Sequence, residues 1–194
     1  MRHTRIAAFL LGAWLLGTLF MIFVATQNFE TVDRVMKSPP PEAYKMILAL
    51  GNDSARQLLR YTAGEENRFF FENWELAQLV LGVLLTGLLT FGVESRMLAG
   101  FSGAMLILTL FEHFKITPEM AWLGRSFDFL PWTAESLSRD QFWKLHGVYS
   151  AIEIVKMLLA VVIAGFLFQM RPRRTKQRVQ IKVVDDPHHR HVNG

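Results

Sequence analysis

Residues 6–25 read IAAFLLGAWLLGTLFMIFVA, 20 residues without a charged side chain. Wound as a helix with a rise of about 1.5 Å per residue, such a run covers ~30 Å, the thickness of a bilayer's hydrocarbon core. A single chain crossing lipid must satisfy its own backbone N–H and C=O groups, and a helix does so within the segment. Three more apolar blocks follow, at about 76–93, 97–114 and 148–170. Four crossings predict an all-α integral membrane four-helix bundle over residues 1–170, followed by a basic cytoplasmic tail, partly disordered, over 171–194. Short amphipathic helices are expected in the outer loops.

Composition agrees with that reading. Apolar residues make up 51% of the chain and include 16 Phe and 5 Trp, too much apolar surface for a soluble domain of 194 residues. The start, MRHTR, is basic like a signal peptide's, but the apolar run is longer than the usual 7 to 15 residues of roughly that class and FVATQN lacks a small-x-small cleavage site. The first block is therefore expected to stay as a crossing. Cysteine is absent, which excludes disulfides, thiolate metal sites and iron–sulfur clusters.

An even number of crossings puts both termini on one side, and basic residues choose which. Ten Lys and Arg lie on the terminal side and ten in the two long loops, but the loops spread theirs over more than twice the length. Arg171, Arg173, Arg174, Lys176 and Arg178 follow directly on the fourth block. Both termini are thus predicted to be cytoplasmic in the cell (inner) membrane, with the tail fixing topology or touching anionic lipid headgroups. Beyond it, RVQIKVV alternates like a short strand, and His188, His189 and His191 stand in a tract without a partner motif.

In the first long loop, Pro39, Pro40 and Pro41 end one helix and allow a short one, EAYKMILAL, closed by Gly51. NDSARQLLRYTAG then predicts a second short helix ending at Gly64. The second loop carries interfacial aromatics with breaks at Pro118 and Pro131, and the capping box of Ser138 and Gln141 predicts that the fourth helix starts near Arg139.

The fourth block holds the residues that need explaining. His146, Glu153 and Lys156 are spaced by seven and three, so they share a helix face. Two readings stay open. Helix side chains lean toward the amino end, here the outside, so Lys156 can reach water and the Glu153–Lys156 pair is interfacial. Alternatively the pair is intramembrane and functional. Polar residues of all four helices collect at the outer end, among them Glu75, Gln78, Glu112 and His113, which makes that mouth rich in carboxylate and imidazole.

Three function classes follow from the mouth. In one, His113 and His146 face each other and, with Glu112 or Glu75, bind a divalent metal or act as axial ligands of a haem. In another, the mouth opens a small transport or proton path through Glu153 and Lys156. In the third, the chain is an accessory subunit whose small residues, Gly82, Thr86 and Thr90 with Gly100, Gly103 and Ala104, pack against other membrane subunits or a second copy. No nucleophile stands with a base and no cofactor fingerprint is present, so a non-enzymatic membrane protein is expected, possessing small-solute or metal-related transport or handling as its role. Glycine-rich phosphate loops and nucleic-acid motifs are absent from the sequence.

Three pieces carry a resemblance: GAW at 12–14, NWELAQL at 73–79 and QFWKLHGVYSAIE at 141–153. In order and spacing they resemble the transmembrane protein 205 family, four-helix membrane proteins of unknown function. The resemblance implies the four-helix topology and a role for Trp74, Glu75, Gln78, Phe142, His146 and Gly147. Some eukaryotic members are linked to resistance to metal-containing drugs. The chain departs from the pattern in a longer, proline-rich first loop, in lacking cysteine, and in having Glu94 where Asn is expected ahead of Arg96.

Overall fold

The structure is a computed structural model that describes residues 2–130 and 135–169. Its helices are α1 (Arg2–Lys37), α2 (Pro41–Leu50), α3 (Asn52–Gly87), α4 (Arg96–Phe111), α5 (Thr117–Phe127) and α6 (Leu137–Gln169). A π-helical turn, Leu88–Gly92, extends α3, and a second, Glu112–Ile116, joins α4 to α5. Four continuous helices are long and apolar enough to cross a membrane: Arg2–Lys37, Asn52–Gly92, Arg96–Phe127 and Leu137–Gln169. The chain is an all-α, multi-pass membrane protein.

Cross-helix contacts fix the directions. α1 and α3 run antiparallel, because Asp33 accepts from Arg56 at 2.5 Å at one end while His3 lies against Gly92 at the other. Leu98 of α4 and Leu167 of α6 belong to the same core cluster as Ala7, Leu11 and Leu89. The start of α1, the end of α3, the start of α4 and the end of α6 therefore share one side, called here the terminal side. The two long connections occupy the loop side.

The packing is inverted relative to a soluble bundle. Phe9, Leu16, Phe20, Val80, Ile107 and Leu158 are exposed, whereas Glu75, Gln78, Glu112 and Lys156 are buried. Lipid is as apolar as leucine, so nothing drives those side chains inward, while polar groups must find partners inside. Near the terminal side the interior is apolar, built on Leu11, Trp14, Leu85, Met105 and Ile163. There the Thr86 and Ser102 hydroxyls share a hydrogen bond of 2.8 Å between α3 and α4.

Local chemistry sets most of the ends. α1 closes with Ser38 N donating to Arg34 O at 3.0 Å, and Pro41 opens α2 at a position where its missing N–H costs nothing. Gly51 adopts φ +83°, a left-handed conformation that lets α3 begin at the next residue, as the short-helix reading of the loop anticipates. On the terminal side the turn between α3 and α4 places Glu94 at φ 59°, and the Ser95 hydroxyl accepts from Leu98 N at 3.5 Å.

Several expectations need correction. No separate helix ends at Gly64; α3 runs through it. A helical glycine costs only ~1 kcal/mol relative to alanine, and packing on the long α1 outweighs that. Asn28 Nδ2 donates to Asn67 Oδ1 at 2.6 Å, and Asn67 Nδ2 donates to Ala25 O at 3.2 Å, holding the two helices together beyond their apolar blocks. Pro118 is no break either, because it occupies the first turn of α5 directly after the π turn. α6 starts at Leu137, with Ser136 Oγ accepting from Arg139 N at 3.3 Å, so Ser136 rather than Ser138 is the cap. Pro131, Met170 and the tail, including Arg171, Arg173, Arg174, Lys176, Arg178 and the late histidines, lie outside the described residues.

Candidate functional site

A helix with Lys and Glu three residues apart presents both on one side, and α6 turns that side inward. Lys156 Nζ donates to Gln78 Oε1 at 2.9 Å, to Glu153 Oε1 at 2.9 Å and to Thr109 Oγ1 at 3.4 Å, and forms an ion pair with Glu112. Lys156 is 0% exposed, as are Gln78 and Glu112. The expectation that Lys156 reaches outward to water is thereby corrected: its ammonium is held inside by groups from α3, α4, the second π turn and its own helix.

Gln78 is the hub. Its amide oxygen accepts from Lys156 while its Nε2 donates to Glu153 at 3.3 Å and to Thr18 Oγ1 at 3.3 Å. One residue thus ties α3 to α6 and α1. One helical turn earlier on α3, Glu75 is equally buried, accepting a hydrogen bond from the Thr117 hydroxyl and lying 3.1 Å from His113 Nδ1. The π turn carries Glu112 and His113 together, one toward Lys156 and the other toward Glu75. Such turns add a residue to the helical repeat and are frequent at functional sites.

Charge counting exposes the cluster's need. Glu75, Glu112 and Glu153 are buried, against one ammonium, Lys156, and one imidazole, His113. Even with His113 protonated, the carboxylates exceed the cations by one. An unpaired carboxylate away from water is costly enough that such a group neutralises instead. Glu112 Oε1, buried with no hydrogen-bond partner, is where that excess is visible. The buried carboxylates around Lys156 thus outnumber the buried cations that face them.

Beside the cluster a cavity of about 300 Å³ opens between α1, α3 and α6. Thr18, Phe71, Trp74, His146, Tyr149 and Glu153 are among its walls. Of the three buried carboxylates, Glu153 alone lines it, and Lys156 does not.

The sequence-predicted residues thus divide into groups. Glu112, Glu153, Lys156 and Gln78 come together; Glu75 and His113 form an adjoining pair. His146 stands apart in the cavity wall, its ring stacked on Phe142 at 5.9 Å and edge-on to Trp143 at 5.6 Å, its Nδ1 buried without a partner. His113 and His146 do not share a partner as the facing-pair reading requires. Among the described residues no group of three or more His, Cys, Asp or Glu is placed to hold a metal ion. Thr18, Thr109 and Thr117 are members that sequence reasoning missed; a threonine in an apolar helix satisfies its own backbone, as Thr109 does by donating to Met105 O, and so leaves no distinctive signal.

Farther toward the loop side, before the apolar block of α3, Glu65 binds Arg125 with two bonds of 2.9 Å and Arg68 at 2.5 Å, and Arg68 also reaches Asp128 at 2.8 Å. This lattice clamps α3 to α5. The Arg125 hydrogen bonds, with the nearby Arg68 charge, hold the Glu65 carboxyl down at about 2. Burial pushes Asp128 above its usual range.

No family model, curated protein or solved structure matches the chain.

Proposed function

We propose that the chain is a small multi-pass membrane transporter in which the Lys156 cluster binds and releases a proton during solute movement. The observation that carries this reading is the buried charge imbalance around Lys156, in a bundle where every polar group has a reason to be excluded. Ionisable groups inside a membrane mark ion and proton paths by default. Here one carboxylate, Glu153, borders a cavity while Glu112 lies deeper, so a proton has both a port and a store. Solute handling is favoured over metal handling because the carboxylates are engaged by Lys156 and His113 is engaged by Glu75.

The test is proton flux into proteoliposomes under an imposed potential, read with an enclosed pH dye. Wild type should exceed empty vesicles, and Glu153→Gln should fall to the empty-vesicle rate. Equal rates for wild type and empty vesicles would sink the proposal.

A second reading, as an accessory subunit or homo-oligomer, draws on one observation: a side chain added at Gly100 or Gly103 would meet nothing within 4 Å. Those small residues do not serve packing inside the chain, and a partner helix can approach closely there. The proposal further includes cytoplasmic termini in the inner membrane, a tail that contacts anionic lipid, no enzymatic activity, and kinship with the transmembrane protein 205 family, supported by the residues quoted above.

A further inference from the structure

The cavity between α1, α3 and α6 has the chemistry of a cation receptor. Most of its wall is apolar or aromatic, with Phe71, Trp74 and Tyr149 contributing rings, and Phe71 and Tyr149 pack edge to face at 5.8 Å. Glu153 supplies a carboxylate to the same space. Aromatic faces attract cations electrostatically, more strongly when water is excluded, and aromatic cages recognise quaternary ammonium groups on that basis. Its lining includes Ile22 and Ile154, both also exposed on the outer surface of the bundle, so the cavity reaches that surface. A volume of about 300 Å³ is at the small end of ligand pockets.

We propose that this cavity binds a small lipophilic organic cation, an amine or quaternary ammonium carrying an apolar group, with Glu153 as its counter-ion. The excess of buried carboxylate over buried cation is what a bound organic cation would neutralise. The groups facing Glu153 fit the exchange. Lys156 and Gln78 hold it on one side, Glu112 competes for Lys156 across the bundle, and Thr18, His146 and Tyr149 stand with it around the cavity. When Lys156 stays with Glu112, Glu153 is released to pair with a cation. This assignment deepens the transporter reading by naming a substrate class, but binding and proton flux are separable.

The experiment is equilibrium binding of benzyltrimethylammonium to the purified full-length protein in detergent at pH 8, with neopentylbenzene as the uncharged isostere. Saturable binding is expected for wild type, and binding at least tenfold weaker for Glu153→Gln. Ser150→Phe, which fills the cavity from α6 and leaves the ionic cluster intact, should also abolish binding. It serves as the folded control should Glu153→Gln lose its helical unfolding transition. Absence of saturable binding to wild type, unchanged binding in Ser150→Phe, or equal affinity for neopentylbenzene overturns the proposal. Cation binding without proton flux would refute the relay alone; proton flux without cation binding would refute the cation site alone.

Discussion

Replacing Lys156 by Met removes the ammonium that two buried carboxylates share. Glu112 loses its ion-pair partner, Glu153 loses a hydrogen bond of 2.9 Å, and both remain buried. Breaking a buried pair by removing one partner costs about 3–5 kcal/mol, since the other charge is left uncompensated. Met matches the Lys stem in length, so little of that loss comes from packing. Glu112→Gln should behave very differently. Lys156 keeps Glu153 and Gln78, the cluster comes closer to neutrality, and a Gln amide can still accept from Nζ. Its expected cost is under about 1 kcal/mol, the scale of one net hydrogen bond. The double variant Lys156→Met, Glu112→Gln should recover about 1–3 kcal/mol of the Lys156→Met loss, a coupling of the size found for residues in one network.

The assay is reversible SDS unfolding in mixed micelles followed by loss of helical circular dichroism. An ordinary one-to-one salt bridge predicts similar losses on truncating either partner, whereas a cation serving an excess of carboxylates predicts the asymmetry. If Glu112→Gln proves as damaging as Lys156→Met, the charge-counting argument is wrong.

Four further outcomes are expected. Glu94→Asn should stabilise the terminal-side turn by up to about 1 kcal/mol, because a non-glycine residue at positive φ is strained by roughly that amount and Asn tolerates it better; an unchanged unfolding midpoint in the same assay would argue against strain there. Gly17→Ala should cost about 1–3 kcal/mol, since a Cβ there would stand 2.0 Å from the Trp74 ring and the indole must move, which a shifted tryptophan emission would report. The Glu65 clamp has a lowered carboxyl pKa, so its stabilisation is complete above about 4.5 and is lost as pH falls toward about 2. Limited proteolysis of the α5 connection should accelerate over that window and no longer respond to pH in Glu65→Gln; with Arg125 largely exposed, the clamp should also weaken in high salt. A tag at the carboxyl terminus should be protected in intact cells, and its labelling from outside would reverse the proposed orientation.

The four crossings were legible because uncharged length is a one-dimensional property, and the ends of α1 and α2 were legible because proline and glycine act locally. The continuation of α3 through Gly64 was not, since it depends on Asn67 finding Asn28 and the Ala25 carbonyl on another helix. The two histidines were visible as candidates, but their partners were not. His113 reaches Glu75 from a π turn that periodicity does not announce, while His146 settles among Phe142 and Trp143 of its own helix.

Lys156 shows why depth is the hardest quantity to read from one helix. Its side chain does lean toward the amino end of α6, as helical geometry requires, and it meets Glu153 one turn back. The premise behind the interfacial reading was sound, but a leaning lysine has two destinations, water or a carboxylate at the same level. Gln78 stands two residues inside its apolar block and Glu112 two residues from the end of its own, while Lys156 is eight residues into the fourth. Leaning back about one turn, ~5 Å, brings the ammonium toward the level of the other two. Each position alone looks like a rim residue; only the antiparallel register of α3, α4 and α6 makes them meet. Once they meet, the ammonium has no need of water, and the demand moves to the carboxylates that outnumber it.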